Sequence, residues 1–438
     1  MLALLAALQL QAAGAVPLAS PTAAPDDSLP AVTLAEALRR AAGLDPDYVQ
    51  AIGQVDNAVW ARRSAFAVFI LPSVALSTQA NQYAPAFFNF ATLRPEKYAV
   101  QAQVSLQYDL FTGGQKVAEL TRSAAALDGA HAGELRARFA TALATESIYY
   151  AVLAGGELTR VARERVQRAE QQLAVARARV TTGAAVQTDS LQLRLELSRA
   201  RVGLLQQETG LRVARLTLGS RVGAAGPVNA APLDSVLPAE LPVTFAAAVE
   251  EAALRGPQYR QARANERATA AAFRAQLGTY LPRATLAWTH AAYDKVFMPT
   301  GFKVSSLALN VSFPLWDNAH REIALSQARV SHDVARATRE EMERSVRRDV
   351  TAAYDGFTTA RASAELAAEQ RRVARENFRV QESRYRAGAT TILDLLKAQA
   401  DLDDAEAGLV QARYVTRLAL AGLESILGRR LFPGRDQQ

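Results

Sequence analysis

The chain carries one set of landmarks twice, and their spacing narrows the possible folds more than any other feature. "VTLAEAL" at 32–38 returns as "VTFAAAV" at 243–249, Pro46 has a counterpart in Pro257, and Leu71-Pro72 in Leu281-Pro282. Further along, "DLFTGG" from Asp109 matches "PLWDNA" from Pro314, Gly183 matches Gly388 and Asp189 matches Asp394, these three at one offset of 205 residues. A constant offset means that the intervening stretch has equal length in both halves, which chance similarity does not produce. The reading is two duplicated units of roughly 190 residues each.

Proline marks out the inside of each unit. None occurs between Pro95 and Pro227 or between Pro314 and Pro433, although the chain has 17. In the first window Gln115 to Thr182 can run as a single helix, roughly 100 Å long at 1.5 Å per residue. A helix of that length belongs to a coiled coil or a helical barrel. Ala162, Val166, Ala169, Leu173, Ala176 and Val180 alternate steps of four and three, a heptad seam. The second unit offers Ala367, Ala374, Phe378 and Tyr385, with Leu366, Val373 and Val380 as an adjacent seam. Two seams on one helix predict neighbours on both sides, as in a curved wall; an antiparallel coiled-coil rod is the plainer alternative. Shorter helices are expected at Leu34–Ile70, Val186–Leu218, Phe245–Tyr280 and Ile392–Leu427, with the second long one over Asn318–Ala387.

Between the first helix and the long helix of each unit the period changes to two. "YAVQAQVSLQYDL" at 98–110 places Tyr98, Val100, Ala102, Val104, Leu106, Tyr108 and Leu110 on one face, and Gln101, Gln103, Ser105, Gln107 and Asp109 on the other. Strands are predicted at 72–81, 98–110, 282–292 and 303–315. A sheet packed on a soluble core would alternate in the same way, but the polar face here is glutamine, serine and asparagine with few charges, which suits a water-filled lumen. Four strands cannot close a barrel, whereas three chains would supply twelve.

Composition removes other classes. The chain has no cysteine, so disulfides, thiolate metal sites, thiol catalysis and lipidation at an N-terminal Cys are excluded. Its four histidines, His131, His290, His320 and His332, lack ligand spacing, so no metal and no cofactor are expected. The net charge of +7 is spread along helical stretches rich in Asp and Glu, so nucleic acid is not an expected partner. No nucleophile–base constellation is visible, "TGGQK" at 112–116 lacks P-loop spacing, and an enzyme is not expected. No apolar run reaches the ~18 residues of a membrane-crossing helix.

The division is a signal peptide at 1–15 ending in Ala13-Gly14-Ala15, a Pro-rich linker at 16–31, a first repeat at 32–218, a linker at 219–242, a second repeat at 243–428 and a tail at 429–438. Loop 82–97 reads as the outer tip of the first strand hairpin. The helical hairpins reverse near Gly183 and Gly388, where a helix end demands positive φ.

The duplicated order, with "YDLFTGGQ" at the strand exit and "YRAGATTILDLLKAQADLDDAE" at a helical tip, resembles the TolC-like outer-membrane efflux channel family from about Val32 to Gly428. The fold implied is mainly α with a small β part: an α-helical barrel crossing the periplasm plus a transmembrane β-barrel in outer-membrane lipid, both shared by a homotrimer, with 219–242 in an equatorial layer. The function implied is the exit duct of a tripartite efflux or type I secretion system, with a periplasmic adaptor (membrane fusion) protein and an inner-membrane pump as partners. By motif position, Asp394 resembles a member of an aspartate ring at the closed periplasmic mouth. Tyr385, Asp189 and Thr188 resemble parts of the hydrogen-bond network that holds it shut. Thr182, Gly183, Ala184, Ala387, Gly388, Ala389 and Thr390 resemble the adaptor-docking tips.

Three positions depart from the pattern. Lys397 stands where a second acidic ring is expected, Thr390 where a basic partner is usual, and Asn318-Ala319 where two glycines are usual. The expectations drawn are a compensated ring in which, under threefold symmetry, three Asp394 carboxylates face three Lys397 ammoniums, with a solvated i,i+3 pair of Asp394 and Lys397 as the plainer alternative, and a tighter or helical turn at Asn318. The competing function is a secreted periplasmic coiled-coil structural or adaptor protein without a membrane barrel.

Overall fold

The computed structural model describes residues 29–89, 93–233, 240–294 and 301–432. The expected signal peptide at 1–15, the linker up to residue 28 and the tail from 433 lie outside the described residues.

From Ala31 the elements are β1 (Ala31–Val32), α1 (Leu34–Leu44), α2 (Pro46–Ile70), β2 (Ser73–Asn89), β3 (Arg94–Phe111), α3 (Gln115–Thr181) and α4 (Gln187–Arg221). After β4 (Asn229–Ala230) the order resumes with α5 (Phe245–Arg255), α6 (Pro257–Leu277), a 3-10 turn at Gly278–Tyr280, β5 (Arg283–Asp294), β6 (Phe302–Ser312), α7 (His320–Arg386) and α8 (Ile392–Leu427). The two long helices have 67 residues each, roughly 100 Å.

The helices expected at 34–70 and 245–280 are each broken. Asp45 accepts from the N–H groups of Asp47 and Tyr48 at 3.0 and 3.2 Å, and Pro46 takes the first helical position, so α2 starts afresh. Gly256-Pro257 makes the equivalent break between α5 and α6. The predicted loop 82–97 is also corrected: β2 runs on to Asn89 and β3 begins at Arg94, with a register shift between Gln82 and Phe87. β6 ends at Ser312 rather than 315, and α4 reaches Arg221 rather than 218.

The four long strands form one antiparallel sheet in the order β2-β3-β5-β6. Val74, Leu106, Trp288 and Leu307 pair across all four strands, so one face of the sheet is apolar, and Ser105, Thr289 and Ser306 align on the other. Val74, Leu76, Leu307, Leu309 and Val311 are 61–75% exposed. Among the described residues, no strand lies beside the outer sides of β2 and β6, whose backbone donors and acceptors face outward.

At Asn318-Ala319 the expected tighter or helical turn does not form. Their φ values of 60° and 63° lie in the same left-handed region as 62° and 83° at Gly113-Gly114, so the turn keeps its shape despite two Cβ atoms. At the first exit, by contrast, glycine is needed for space: a Cβ on Gly113 would collide with the backbone carbonyl of Gly278.

Three apolar clusters hold the helices. One joins α3, α4, α7 and α8 near their tips through Ala169, Leu173, Leu193, Phe378, Leu395 and Leu402. A second surrounds the β1–β4 parallel pairing, where the fully buried Tyr149 hydroxyl donates to Ala231 O at 2.7 Å and lies 3.2 Å from Val32 O. A third packs α5 on α7 and α8 through Ala248, Phe357 and Leu423. The seam residues Leu366, Val373 and Val380 on α7 stay 40–65% exposed, as do Leu191, Leu195, Val202 and Leu205 on α4 at 52–63%.

Candidate functional site

The two helical tips lie side by side at one end of the chain. Each long helix ends in a basic turn and reverses through a left-handed glycine, Gly183 at φ 73° and Gly388 at φ 76°. The residues expected at the docking tips, Thr182, Gly183, Ala184, Ala387, Gly388 and Ala389, are all exposed, and Thr390 is half-buried.

Tyr385, at the end of α7, is buried under the first hairpin at 3% exposure, and its hydroxyl donates to Asp189 Oδ2 at 3.4 Å. Burial pushes its hydroxyl pKa up, the Asp189 carboxylate adds to that, and Arg179 opposes it. Thr188 is exposed on the first turn of α4, without a side-chain hydrogen bond among the described residues.

Arg179 is the residue that sequence reasoning missed. Its guanidinium stacks on the Tyr385 ring at 4.8 Å, donates to the Tyr385 carbonyl, and reaches Ala184 O at 3.2 Å. A basic partner sought at 390, on the second hairpin, is supplied by the first. The available signal was a cation one turn before the reversing glycine, where it also favours the helix C-terminus.

Asp394 does not pair with Lys397. Its Oδ2 accepts from Thr391 Oγ1 at 2.7 Å, Thr390 Oγ1 at 3.0 Å and Thr391 N at 3.3 Å, while its own N–H donates to Thr391 Oγ1 at 3.2 Å. This is a reciprocal capping box at the start of α8. The Thr391 and Thr390 hydroxyls, with the Thr391 N–H, hold its carboxyl below the usual carboxylate range. Lys397 is exposed and forms no ion pair among the described residues, so the i,i+3 pair with Asp394 does not form within the chain.

Above the tips, α3 and α8 meet through a polar layer. Gln172 donates to Gln399 at 2.8 Å, Arg168 bridges Asp403 and Glu406 at 2.8 and 3.2 Å, and Arg165 bridges Asp403 and Glu196 at 3.0 and 2.5 Å. Burial raises the Asp403 pKa, with Arg168 and Arg165 acting against it. An apolar seam would bind the hairpins without preference for height; paired charges fix one register along 100 Å helices, since any slide strands a buried ion.

No group of acidic and histidine side chains able to hold a metal occurs among the described residues. No described helix is long and apolar enough to cross a membrane, a statement that does not bear on the strands.

Comparison with known proteins agrees with this architecture. The pattern of the family described as outer membrane efflux protein matches residues 35–224 and 248–429. Protein CyaE of Bordetella pertussis is 28% identical over 183 residues, which is 41% of this chain and 39% of that protein, so the match spans about two fifths of its length. The outer membrane protein VceC of Vibrio cholerae superposes with a TM-score of 0.77 at 16% identity, over 91% of this chain and 97% of that one. The CmeC outer membrane channel of Campylobacter jejuni gives 0.77 at 13% identity, over 90% and 85%. At these identities the structures speak for the fold, and the matched pattern, running from α1 to just past α8, speaks for the lineage: the chain belongs to the outer membrane efflux protein family.

Proposed function

We propose that three copies of this chain form a channel-tunnel, a twelve-stranded barrel in the outer membrane continuous with a helical tunnel through the periplasm, serving as the passive exit duct of a tripartite efflux or type I secretion system. The observation that carries this reading is the four-stranded sheet: apolar on one face, polar on the other, and open at both edges. An open edge in lipid leaves backbone groups without partners, so the sheet must close on copies of itself. The long helices attached to it extend roughly 100 Å from the sheet, enough to carry the tunnel across an aqueous compartment.

The helical tips form the periplasmic mouth, with Thr182–Ala184 and Ala387–Thr390 as the surface an adaptor protein meets. Tyr385, Asp189 and Arg179 hold the second hairpin against the first and so keep the mouth narrow. Asp394 faces the mouth with its carboxylate already engaged by Thr390 and Thr391, while Lys397, one turn on, brings an ammonium that makes no ion pair among the described residues.

The test is extraction and reconstitution. The chain should fractionate with outer membranes, require detergent, have the native mass of a trimer and conduct ions across planar bilayers. A detergent-free monomer in the periplasmic extract would instead identify a secreted coiled-coil protein. Lys397→Asp should raise the cation preference of the pore; unchanged reversal potentials would remove Lys397 from the mouth.

A further inference from the structure

We propose that Lys303, His290 and Ser305 form a phosphate-binding site on the outside of the sheet, and that its ligand is the headgroup of a phosphate-bearing lipid in the outer leaflet of the membrane. The site rests on the barrel proposed above, with the apolar face of the sheet turned to lipid.

The strand registers order that face into rows. Nearest the helices, Tyr108, Leu286 and Leu309 lie side by side, followed by Val74, Leu106, Trp288 and Leu307. The next row is Leu76, Val104, His290 and Ser305, and the one beyond it is Thr78, Ala102, Ala292 and Lys303. Large apolar side chains therefore stop within one row. On β5 and β6 the change is abrupt: Trp288 beside Leu307 gives way to His290 beside Ser305, and then to Lys303. All of these share one parity, so the three polar residues stand on the lipid side and not on the lumen side.

Height along the strands puts that change at the membrane boundary. Leu315 and Trp316 are the last exposed apolar residues before α7. For strands tilted by about 40°, extended chain rising from Leu315 reaches Leu307 at roughly 20 Å and Ser305 at roughly 25 Å, against an apolar band ~25 Å tall. Trp316 and Trp288 fall near the two ends of that span, where interfacial tryptophans sit. His290, Ser305 and Lys303 thus lie at headgroup level, at the end of the sheet away from the helices. Ionisable side chains on a lipid-facing surface are costly unless partnered, and a headgroup phosphate supplies the partner.

The local geometry suits an anion. His290 Nδ1 and Ser305 Oγ are 2.7 Å apart, and the imidazole stacks on the Trp288 ring with centroids 6.1 Å apart. The bond to Ser305 occupies Nδ1 and leaves Nε2 to donate to a ligand. Lys303 stands one row further out on the same strand as Ser305, is exposed, and forms no ion pair among the described residues. An ammonium, an imidazole N–H and a hydroxyl on adjoining rows of two paired strands can all donate to one phosphate group. The nearby carboxylate of Asp294 lies a further row out, and its Oδ2 accepts from the Gly301 N–H at 3.1 Å.

The test uses full-length protein extracted in a neutral detergent and titrated with phosphatidic acid or with diacylglycerol, the lipids retained being counted by native mass spectrometry. The trimer should retain one phosphatidic acid per chain and no diacylglycerol. Lys303→Gln should weaken retention about tenfold, His290→Phe should weaken it less, and Lys303→Arg should preserve it. Lys97→Gln removes an exposed cation from the polar face of β3 and should change nothing. A wild-type trimer that holds both lipids alike or neither, an unaffected Lys303→Gln, or an equal loss on Lys97→Gln overturns the site. Loss in Lys303→Arg as large as in Lys303→Gln marks the effect as structural and also overturns it. Displacement of phosphatidic acid by an equal concentration of sodium phosphate overturns the lipid as ligand. A detergent-free monomer overturns the barrel itself, a result distinct from a trimer that binds no lipid.

Discussion

The two helical tips begin from matching sequence and end in different states. Asp189 and Asp394 occupy the same position after the reversing glycine, yet Asp394 folds back to cap its own helix while Asp189 reaches across to Tyr385. The residue three before each decides the difference. Thr391 offers a hydroxyl that engages the Asp394 carboxylate; Val186 offers none, and α4 starts without a side-chain cap. A tip that caps itself is a finished unit, whereas one that leaves its carboxylate free can be used by its neighbour. The same asymmetry holds for the cations: Arg179 grips Tyr385, and its counterpart Arg384 is exposed.

The largest expected break in this comparison is Arg179→Met. It removes a stacked, hydrogen-bonded cation and should release the second tip by about 2 kcal/mol. Arg384→Met should change it by no more than a few tenths of a kcal/mol. Amide exchange across 384–390 and resting conductance would report both. Next, Thr391→Val should give the second tip the uncapped character of the first, costing about 1 kcal/mol in the opening turn of α8; the reciprocal Val186→Thr should gain up to that amount and weaken the Asp189–Tyr385 bond. Local exchange rates in the two first turns, read side by side, decide whether the cap is the cause. Tyr385→Phe removes only a long hydrogen bond, and should cost about 0.5–1 kcal/mol, with conductance rising less than for Arg179→Met.

The smallest effect is a pH step. Because the Asp394 carboxyl is depressed in the folded chain, its contribution is fully present above the unfolded carboxylate value of ~3.9 and is lost as pH falls through the lower folded value. Protection of the α8 first turn should decline in that acid window, and Asp394→Asn should abolish the decline.

Much of this architecture was legible because it is local. Alternation at 98–110 and the absence of proline over 115–182 each declare a period, and Gly183 and Gly388 announce reversals. The break at Asp45-Pro46 was also local, an N-cap followed by proline at the first helical position, but the apolar residues on either side carried the expected helix through it. Residues 82–97 were harder. Their aromatics and Pro85 suggest a loop, whereas the pairing of Gln82 with Tyr98 and of 87–89 with 94–96 draws 82–89 and 94–97 into the strands. Arg179 was out of reach for a different reason. Its partners are 206 positions away at Tyr385 and five away at Ala184, and the first depends on the height at which one hairpin lies against the other. That height is set by the Arg165, Arg168, Asp403 and Glu406 layer, a tertiary fact without a one-dimensional trace. Asn318-Ala319 shows the reverse: the residues predict a changed turn, and the surrounding fold imposes the old one.

The small β1–β4 pairing has a consequence for the order of assembly. Residues 31 and 32 find their strand only at 229 and 230, so this pairing cannot close until nearly two hundred further residues have been delivered and folded back. Loop closure over that distance is slow relative to helix growth, which makes this clasp a late event in maturation. A fragment halted at residue 218 would have Tyr149 in place but no Ala231 carbonyl for its hydroxyl, and its leading segment would remain unlatched.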